Sequence, residues 1–325
     1  TDKQENSCAN QFSDAIMNPT NDLKLQDLLP VQPRSTATKD LWLAGWSLTS
    51  LGIFHILVWL VLGGVWEGPL SWRKPILFGI STGVTLISVA SIFDRLRPAR
   101  FDSLIIRILS VSLVLEVLLI TIQQWRGQAS HFNHDSILNT SIEYAMTTLI
   151  VAATFVLVQI TFRAFNFLNT ARDLQIANRA GLAFLIISCL IGFFILWNGN
   201  KQVLAGQDPS TYGKAGVAKF PHGIAIHSLQ FFPILCYAFA KLGLSKNQRI
   251  GMLKWSIASM SGMLTYSIFQ TLSGKPRFEW TPAGALIFAI SVGLLAPVAW
   301  GICKQLVANA REAIKNWRSY GRLDA

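Results

Sequence analysis

Residues 104–135 read LIIRILSVSLVLEVLLITIQQWRGQASHFNHD, and this stretch decides the fold class. Its first part is apolar apart from a few isolated polar residues. A helix needs about 20 such residues to cross the hydrocarbon core of a bilayer. The stretch therefore predicts a membrane-crossing helix. That helix is followed directly by a polar segment with Gln, Arg, Asn and two His.

The composition of the whole chain agrees with a membrane protein. Of its 325 residues, 51% are hydrophobic and only 14% are charged, whereas soluble domains carry about 25% charged residues. The net charge of +11 comes mainly from short loops between apolar segments, which favours membrane orientation and anionic lipid over nucleic acid. The four cysteines are far apart in sequence, so zinc ribbons, c-type haem attachment and iron–sulfur ligation have no support.

Apolar segments long enough to cross a bilayer recur along the chain, and no ten-residue alternation typical of barrel strands is visible. We therefore predict an all-α integral membrane protein with eight transmembrane helices. The expected spans are 46–66, 75–93, 104–124, 141–165, 178–197, 222–240, 251–271 and 282–304.

The positive charges predict the orientation. Fifteen Lys and Arg lie in the even-numbered loops, at the adjoining span ends and in the C-terminal segment, against eight in the odd-numbered loops. Cytoplasmic loops carry the excess of Lys and Arg, so both termini should be cytoplasmic. Residues 1–45 then form a polar cytoplasmic arm, without the features of a cleavable signal peptide, and residues 306–325 form a basic cytoplasmic tail.

Four motifs occur twice in the same order, which predicts an internal repeat. The pairs are Gln123…Gly127 with Gln270…Gly274, Trp66…Gly68 with Trp197…Gly199, Pro75 with Pro221, and Arg107 with Lys254. Four crossings return the chain to its starting side, so two four-helix repeats, 46–177 and 178–305, should run parallel. The alternative is that interfacial Trp, loop Gly and helix-starting Pro recur in any membrane protein.

Ionisable groups within spans cost roughly 2.5–3.5 kcal/mol on insertion scales and therefore suggest function. At 1.5 Å per residue, Glu116, His55 and His227 lie about 10, 16 and 9 Å below the non-cytoplasmic membrane surface. All three fall in the outer half of the bilayer. His131, His134 and His222 are expected at the rim above them.

Each of these residues also has an ordinary structural interpretation. His55 could simply be hydrogen-bonded between helices, and Glu116 could be a neutral, hydrogen-bonded carboxyl or a proton or cation carrier. His222 and His227 are five residues apart, about 140° around a helix, so they cannot chelate one ion from one face. Metalloprotease HExxH and Gly-rich phosphate motifs are absent from the sequence, which leaves hydrolase and nucleotide chemistry unsupported.

The strings WRKPILFG, QQWRGQASHFN, PHGIAIHSLQ and QTLSGKP resemble a group of uncharacterised bacterial polytopic membrane proteins. The resemblance implies a bacterial inner (plasma) membrane location and no particular activity. In architecture the chain is also similar to haem A synthase, which has eight helices in two four-helix halves with a haem held by histidines. That family has histidines on the even-numbered helices of both halves. Of the even-numbered spans of this chain, only the sixth has histidines.

Three functions are open from the sequence, and whether the protein is an enzyme is left undecided. The first is redox or cofactor binding, with His55 and His227 as axial metal ligands of a b-type haem, or a quinone as the cofactor. The residues expected to complete that cofactor site are Glu116, Gln123, Arg126, His131, His222 and Gln230.

The second function is a small-solute or proton transporter or channel. Counting against it, no span is expected to be broken at the membrane midplane. The third is a non-catalytic assembly subunit that contacts other membrane subunits. Cofactor binding ranks slightly ahead, because three His are expected on one side of the membrane.

Overall fold

The computed structural model describes the backbone of residues 36–320 and the side chains of residues 38–311, 314 and 315. Every regular element in that range is a helix. The helices are α1 (Thr36–Leu62), α2 (Arg73–Phe93), α3 (Asp102–Trp125), α4 (Ile137–Phe167), α5 (Arg172–Leu204), α6 (Lys219–Ile226), α7 (Ser228–Lys241), α8 (Lys246–Leu272), α9 (Pro282–Gly293) and α10 (Ala296–Tyr320). Most of the predicted arm and the last five residues of the predicted tail lie outside the described residues.

Seven segments are long and apolar enough to cross a membrane, and they confirm the all-α, polytopic membrane class. They are Thr38–Leu62, Arg73–Phe93, Asp102–Trp125, Ile137–Phe167, Arg172–Leu204, Lys219–Lys241 and Pro282–Arg311. Large apolar side chains on their outer faces are exposed, among them Val61, Ile137 and Phe162. Contiguous apolar surface of this kind is stable in lipid and not in water.

The predicted seventh span, 251–271, lies within α8, which is long but less apolar than the other segments. At 1.5 Å per residue its 27 residues extend about 40 Å. Several of its polar residues are buried, namely Ser256, Ser259, Ser267, Gln270 and Thr271, whereas Lys254, Ser261 and Thr265 are exposed. Polar groups inside the bundle therefore account for part of the low hydropathy of α8.

Helices α1–α4 and α5–α10, here called the first and second halves, pack by the same scheme. In the first half α1 packs on α2 and α3, and α3 packs on α2 and α4. In the second half α5 packs on α6, α7 and α8, and α8 packs on α6, α7 and α9. The halves meet where α4 packs on α5 and where α2 packs on α7.

The closest helix pair is α1 with α2, and glycine makes that approach possible. A Cβ atom on Gly83 would lie 2.3 Å from the Thr49 hydroxyl oxygen, and one on Gly52 would lie 2.7 Å from the Ile80 nitrogen. Small residues allow membrane helices to approach this closely. Residues 79–83 read Gly-Ile-Ser-Thr-Gly, which matches the GxSxG pattern that surrounds the nucleophilic serine of many hydrolases. In those enzymes the pattern forms a turn between a strand and a helix, whereas here it lies within α2.

Two spans of the second half each contain a short turn between two helices, and the expectation that no span is broken at the membrane midplane stays a prediction. His227 separates α6 from α7, and its carbonyl accepts from the Gln230 N–H at 3.2 Å, a 3₁₀-type bond. The span Pro282–Arg311 breaks between Gly293 and Ala296. Pro297 explains the second break, because a proline ring clashes with the carbonyl four residues earlier, here that of Gly293.

Candidate functional site

The loop of residues 126–136, which joins α3 to α4, begins with a glycine turn. Gly127 has a φ of 64°, and the Gln128 N–H donates to the Gln123 carbonyl at 2.9 Å. This is a Schellman-type helix end. The fully buried Gln123 side chain also donates to the Ala129 carbonyl at 3.3 Å. Gln123 therefore shapes the loop from inside the bundle.

A polar network holds the rest of this loop. The Gln123 amide donates to Asn139 Oδ1 at 3.2 Å, and the Arg126 guanidinium donates to Gln123 Oε1 and to Asn139 Oδ1. The Asn133 N–H donates to the buried Glu143 carboxylate at 3.0 Å. Gln123 and Arg126 are thus brought together, as predicted for a site, and their hydrogen bonds serve the loop. Their role in binding a cofactor stays a prediction.

Below the loop, Glu116 and His131 face each other; we call them the Glu116–His131 site. His131 Nε2 lies 3.9 Å from Glu116 Oε1, and the Glu116 side chain is 7% exposed. Glu116 Oε2 is buried and has no hydrogen-bond partner among residues 38–311. The gap is too long for a direct hydrogen bond, but one water molecule or ligand oxygen can bridge it.

From this site a chain of polar contacts leads outward. His131 Nδ1 and the Ser130 hydroxyl share a hydrogen bond of 3.0 Å. The Lys74 ammonium donates to the same hydroxyl at 3.4 Å and to the Pro69 carbonyl at 2.8 Å. The Phe78 ring stacks on His131 with centroids 6.1 Å apart. Lys74, Ser130 and His131 therefore connect the membrane surface to a buried carboxyl.

His131 is neutral at ordinary pH. Burial, together with the smaller effect of the nearby cations Lys74 and Lys219, lowers its pKa to about 3. A neutral imidazole has one N–H donor and one acceptor nitrogen. It can therefore accept from Ser130 while it donates toward Glu116, which is the arrangement that a proton relay requires.

The loop also contacts the second half. His134 Nε2 lies 3.2 Å from Asn200 Oδ1 on α5 and 3.6 Å from the Glu143 carboxylate. Phe132 has a φ of 60°, which is uncommon for a non-glycine residue. Its ring packs against Gly199, where a Cβ atom would lie 2.4 Å from the ring. Each residue of the Ser-His-Phe-Asn string thus has its own partner.

His55 lies apart from this network, in an aromatic cluster. Its Nδ1 is 2.8 Å from the Leu51 carbonyl, and its Nε2 accepts from the Trp125 indole N–H at 3.2 Å. Trp72 stacks on the ring at 5.9 Å. Both nitrogens are therefore occupied, and iron ligation would require Trp125 to release Nε2. The described part of the chain has no group of three or more His, Cys, Asp or Glu that could hold a metal ion.

The predicted residues of the second half lie around the break in the sixth span. His222 Nδ1 is 3.0 Å from both the hydroxyl and the carbonyl of Ser188 on α5. His227 is exposed at the break. The Gln230 amide donates across the junction of the halves to Thr85 on α2 at 3.4 Å. Within the described side chains its buried Oε1 has no partner.

The loop after α8 repeats the frame of the loop after α3. Gly274 has a φ of 65°, the Lys275 N–H donates to the Gln270 carbonyl at 3.1 Å, and the Gln270 amide donates to the Pro276 carbonyl at 3.3 Å. Gln123 Oε1 accepts from Arg126, three residues later in the chain, whereas the residue three positions after Gln270 is Ser273. Gln270 Oε1 lacks a partner among the described residues.

Sequence reasoning identified Glu116, His131, Gln123 and Arg126 but missed Lys74, Ser130, Phe132 and Glu143 as their partners. The Ser-His-Phe-Asn string was the signal that could have indicated two of them, Ser130 and Phe132.

Comparison with family models, with curated proteins and with solved structures finds no match to this chain. The resemblance to uncharacterised bacterial membrane proteins therefore stays a prediction. Fold and composition define the class: a polytopic helical membrane protein.

Proposed function

We propose that this protein conducts or transports protons across the membrane, alone or together with a small solute, and that Glu116 is the proton-carrying group. One observation carries the proposal. A buried carboxyl with one unpartnered oxygen faces a neutral imidazole across 3.9 Å. Membrane-buried acids paired with histidine are typical of proton pathways.

The contacts suggest the order of proton movement. Lys74 donates to the Ser130 hydroxyl, the hydroxyl can donate to His131 Nδ1, and the N–H on Nε2 can pass a proton through one bridging water to Glu116. Each donor regains a proton from the group outside it, so no net charge accumulates on His131.

The test is proton flux into proteoliposomes that contain a pH-sensitive dye, driven by a potassium diffusion potential. We expect Glu116→Gln to reduce the flux about tenfold or more, as expected for removal of a proton-transferring group. The matched control is Glu67→Gln, which removes a mostly exposed carboxylate in the loop between α1 and α2 of the same half. Wild-type flux equal to that of empty liposomes, or unchanged flux in Glu116→Gln, would reject the proposal.

We further propose eight crossings in two parallel four-helix repeats, with both termini cytoplasmic. The shared packing scheme, the matching loop frames and the length of α8 support this topology. Cysteine substitutions at Lys246, the first residue of α8, and at Glu279, in the loop that follows α8, test it by labelling in intact cells. We expect labelling from opposite sides, whereas labelling of both from one side would show that α8 does not cross.

A quinone-linked redox role is the second candidate, and one observation favours it. Phe78, which stacks on His131, is 39% exposed on the lipid side of the bundle, so a lipophilic ring could reach Glu116 and His131 from the bilayer. Solvent extraction of the purified protein should then yield about one quinone per chain, and Glu116→Gln should reduce that amount. A Soret band in the reduced protein would instead support the predicted haem at His55 and His227.

A further inference from the structure

Between α8 and α10 the described surface has a groove. Its volume is about 300 Å³. Apolar residues form most of its wall: Leu244, Met252, Trp255 and Pro297. Gly251 and Gly301 also line it, and their missing side chains leave the space open. We call it the α8–α10 groove.

The groove has a polar end. Gln248, Lys304 and Gln305 also line it, and they lie near the first turn of α8 and past the apolar part of α10. Gln305 lies beside the α7–α8 turn, 3.6 Å from a Cβ placed on Gly243, and the Asn309 amide donates to the Leu242 carbonyl at 3.0 Å. These contacts place residues 305–309 level with that turn, at the end of the membrane-crossing part.

From this arrangement we propose that the α8–α10 groove is a binding site for an anionic phospholipid. An acyl chain would lie along Met252 and Trp255, and the phosphate would be paired with Lys304. Charge complementarity favours this occupant, because the two helices that border the groove carry exposed Lys246, Lys304 and Arg311. Basic pockets between membrane helices bind anionic headgroups in this way. The site is independent of the proposed proton function.

Native mass spectrometry of the delipidated full chain tests this site with phosphatidylglycerol and phosphatidylcholine as probes. We expect a saturable one-to-one adduct with phosphatidylglycerol only, not displaced by inorganic phosphate. Lys304→Gln should weaken the adduct about fivefold, the effect of one basic residue at a membrane surface. Lys214→Gln, in an exposed loop elsewhere, is the matched control and should have no effect.

A substitution that fills the groove provides a second, independent test of the proposal. A Cβ atom on Gly251 meets nothing within 4 Å, so Gly251→Leu can fold and should abolish the adduct. Gly293→Leu, at an equally open helical position outside the groove, should retain it. Equal binding of the two lipids, an adduct that survives Gly251→Leu, or displacement by phosphate would overturn the proposal. If the wild-type chain forms a dimer, and Gly251→Leu loses the dimer but keeps the lipid adduct, the groove binds a second copy of the chain and the proposal is overturned.

Discussion

The first and second halves of the molecule share a packing scheme but differ in what they hold. In the first half the loop after α3 covers a buried carboxyl and a histidine, and its spans are continuous. In the second half the matching loop contains no histidine, and two spans are interrupted. The two halves therefore share a packing scheme, but the first half holds the Glu116–His131 pair beneath its loop and the second half holds the helix breaks.

The largest expected effect concerns the close α1–α2 contact of the first half. Gly83→Val would drive a side chain into the Thr49 hydroxyl and the Gly45 carbonyl, 2.3 and 2.6 Å from the new Cβ. Backbone cannot move aside easily, so we expect a loss of about 3 kcal/mol, the upper range for overpacking. Thermal unfolding in detergent measures it, with Gly223→Val, at an open position, as the control. Equal stability of the two variants would contradict the close approach.

The two buried glutamines test the comparison directly. Gln123 uses both amide atoms, with Ala129, Asn139 and Arg126 as partners, whereas the Oε1 of Gln270 has none in the described region. We expect Gln123→Ala to cost about 2 kcal/mol of unfolding free energy and Gln270→Ala about 1 kcal/mol. Thermal shifts of the two variants, measured side by side, give the difference. If Gln270→Ala lowers the unfolding free energy as much as Gln123→Ala does, the two glutamines stabilise their loops equally.

The pH dependence should belong to the first half. His131 has a pKa near 3 in the folded protein and about 6.5 when unfolded. Between these values the unfolded chain binds a proton that the folded chain does not, so stability falls as pH decreases from about 6.5 toward 3. We expect about 2 kcal/mol of loss at pH 5 relative to pH 7.5.

The measurement is the thermal unfolding of wild type and His131→Gln at both pH values, and the difference between them isolates this one group. A wild-type chain no more sensitive to acid than His131→Gln would show that the pKa of His131 is the same in the folded and unfolded states.

The smallest expected effect concerns the contact between the halves. Gly199→Ala places a Cβ 2.4 Å from the Phe132 ring, which can rotate away because it is a side chain. We expect about 1 kcal/mol of destabilisation, at the low end for overpacking. Phe132→Ala combined with Gly199→Ala should recover part of the loss that Gly199→Ala causes. Additive losses in the double variant would mean that the loop and α5 are not coupled.

Sequence reasoning predicted the helices well and the contacts less well. Seven of the eight predicted spans coincide with apolar membrane-length segments, because lipid requires about 20 apolar residues and leaves a clear signal. The helix ends were less accurate. The first span ends at Leu62 and not at residue 66, because Gly63 and Gly64 take positive φ values of 68° and 109°. Glycine signals a possible turn but does not say which glycine will form it.

For the site, sequence reasoning found the unusual residues and could not pair them. Glu116 was singled out because a charged group is costly inside the membrane, and His131 was singled out as one of the histidines expected at the rim above it. His55 and His227 were predicted as a pair by depth alone, whereas His55 is bonded to Trp125 and His227 is exposed at a helix break. The depth of a residue along a helix does not say which neighbouring helix its side chain faces. That depends on how the helix packs against residues far away in sequence.

By itself, then, the sequence determined the class of the protein and the residues worth attention, since both follow from local hydrophobicity and from the cost of placing polar groups in lipid. The tertiary structure decided that Lys74, Ser130, His131 and Glu116 form one path. It also decided that two spans are interrupted and that the α3–α4 loop rests on α5. Those features depend on how helices rotate and pack against one another, and helix packing is a property of residue pairs distant in sequence.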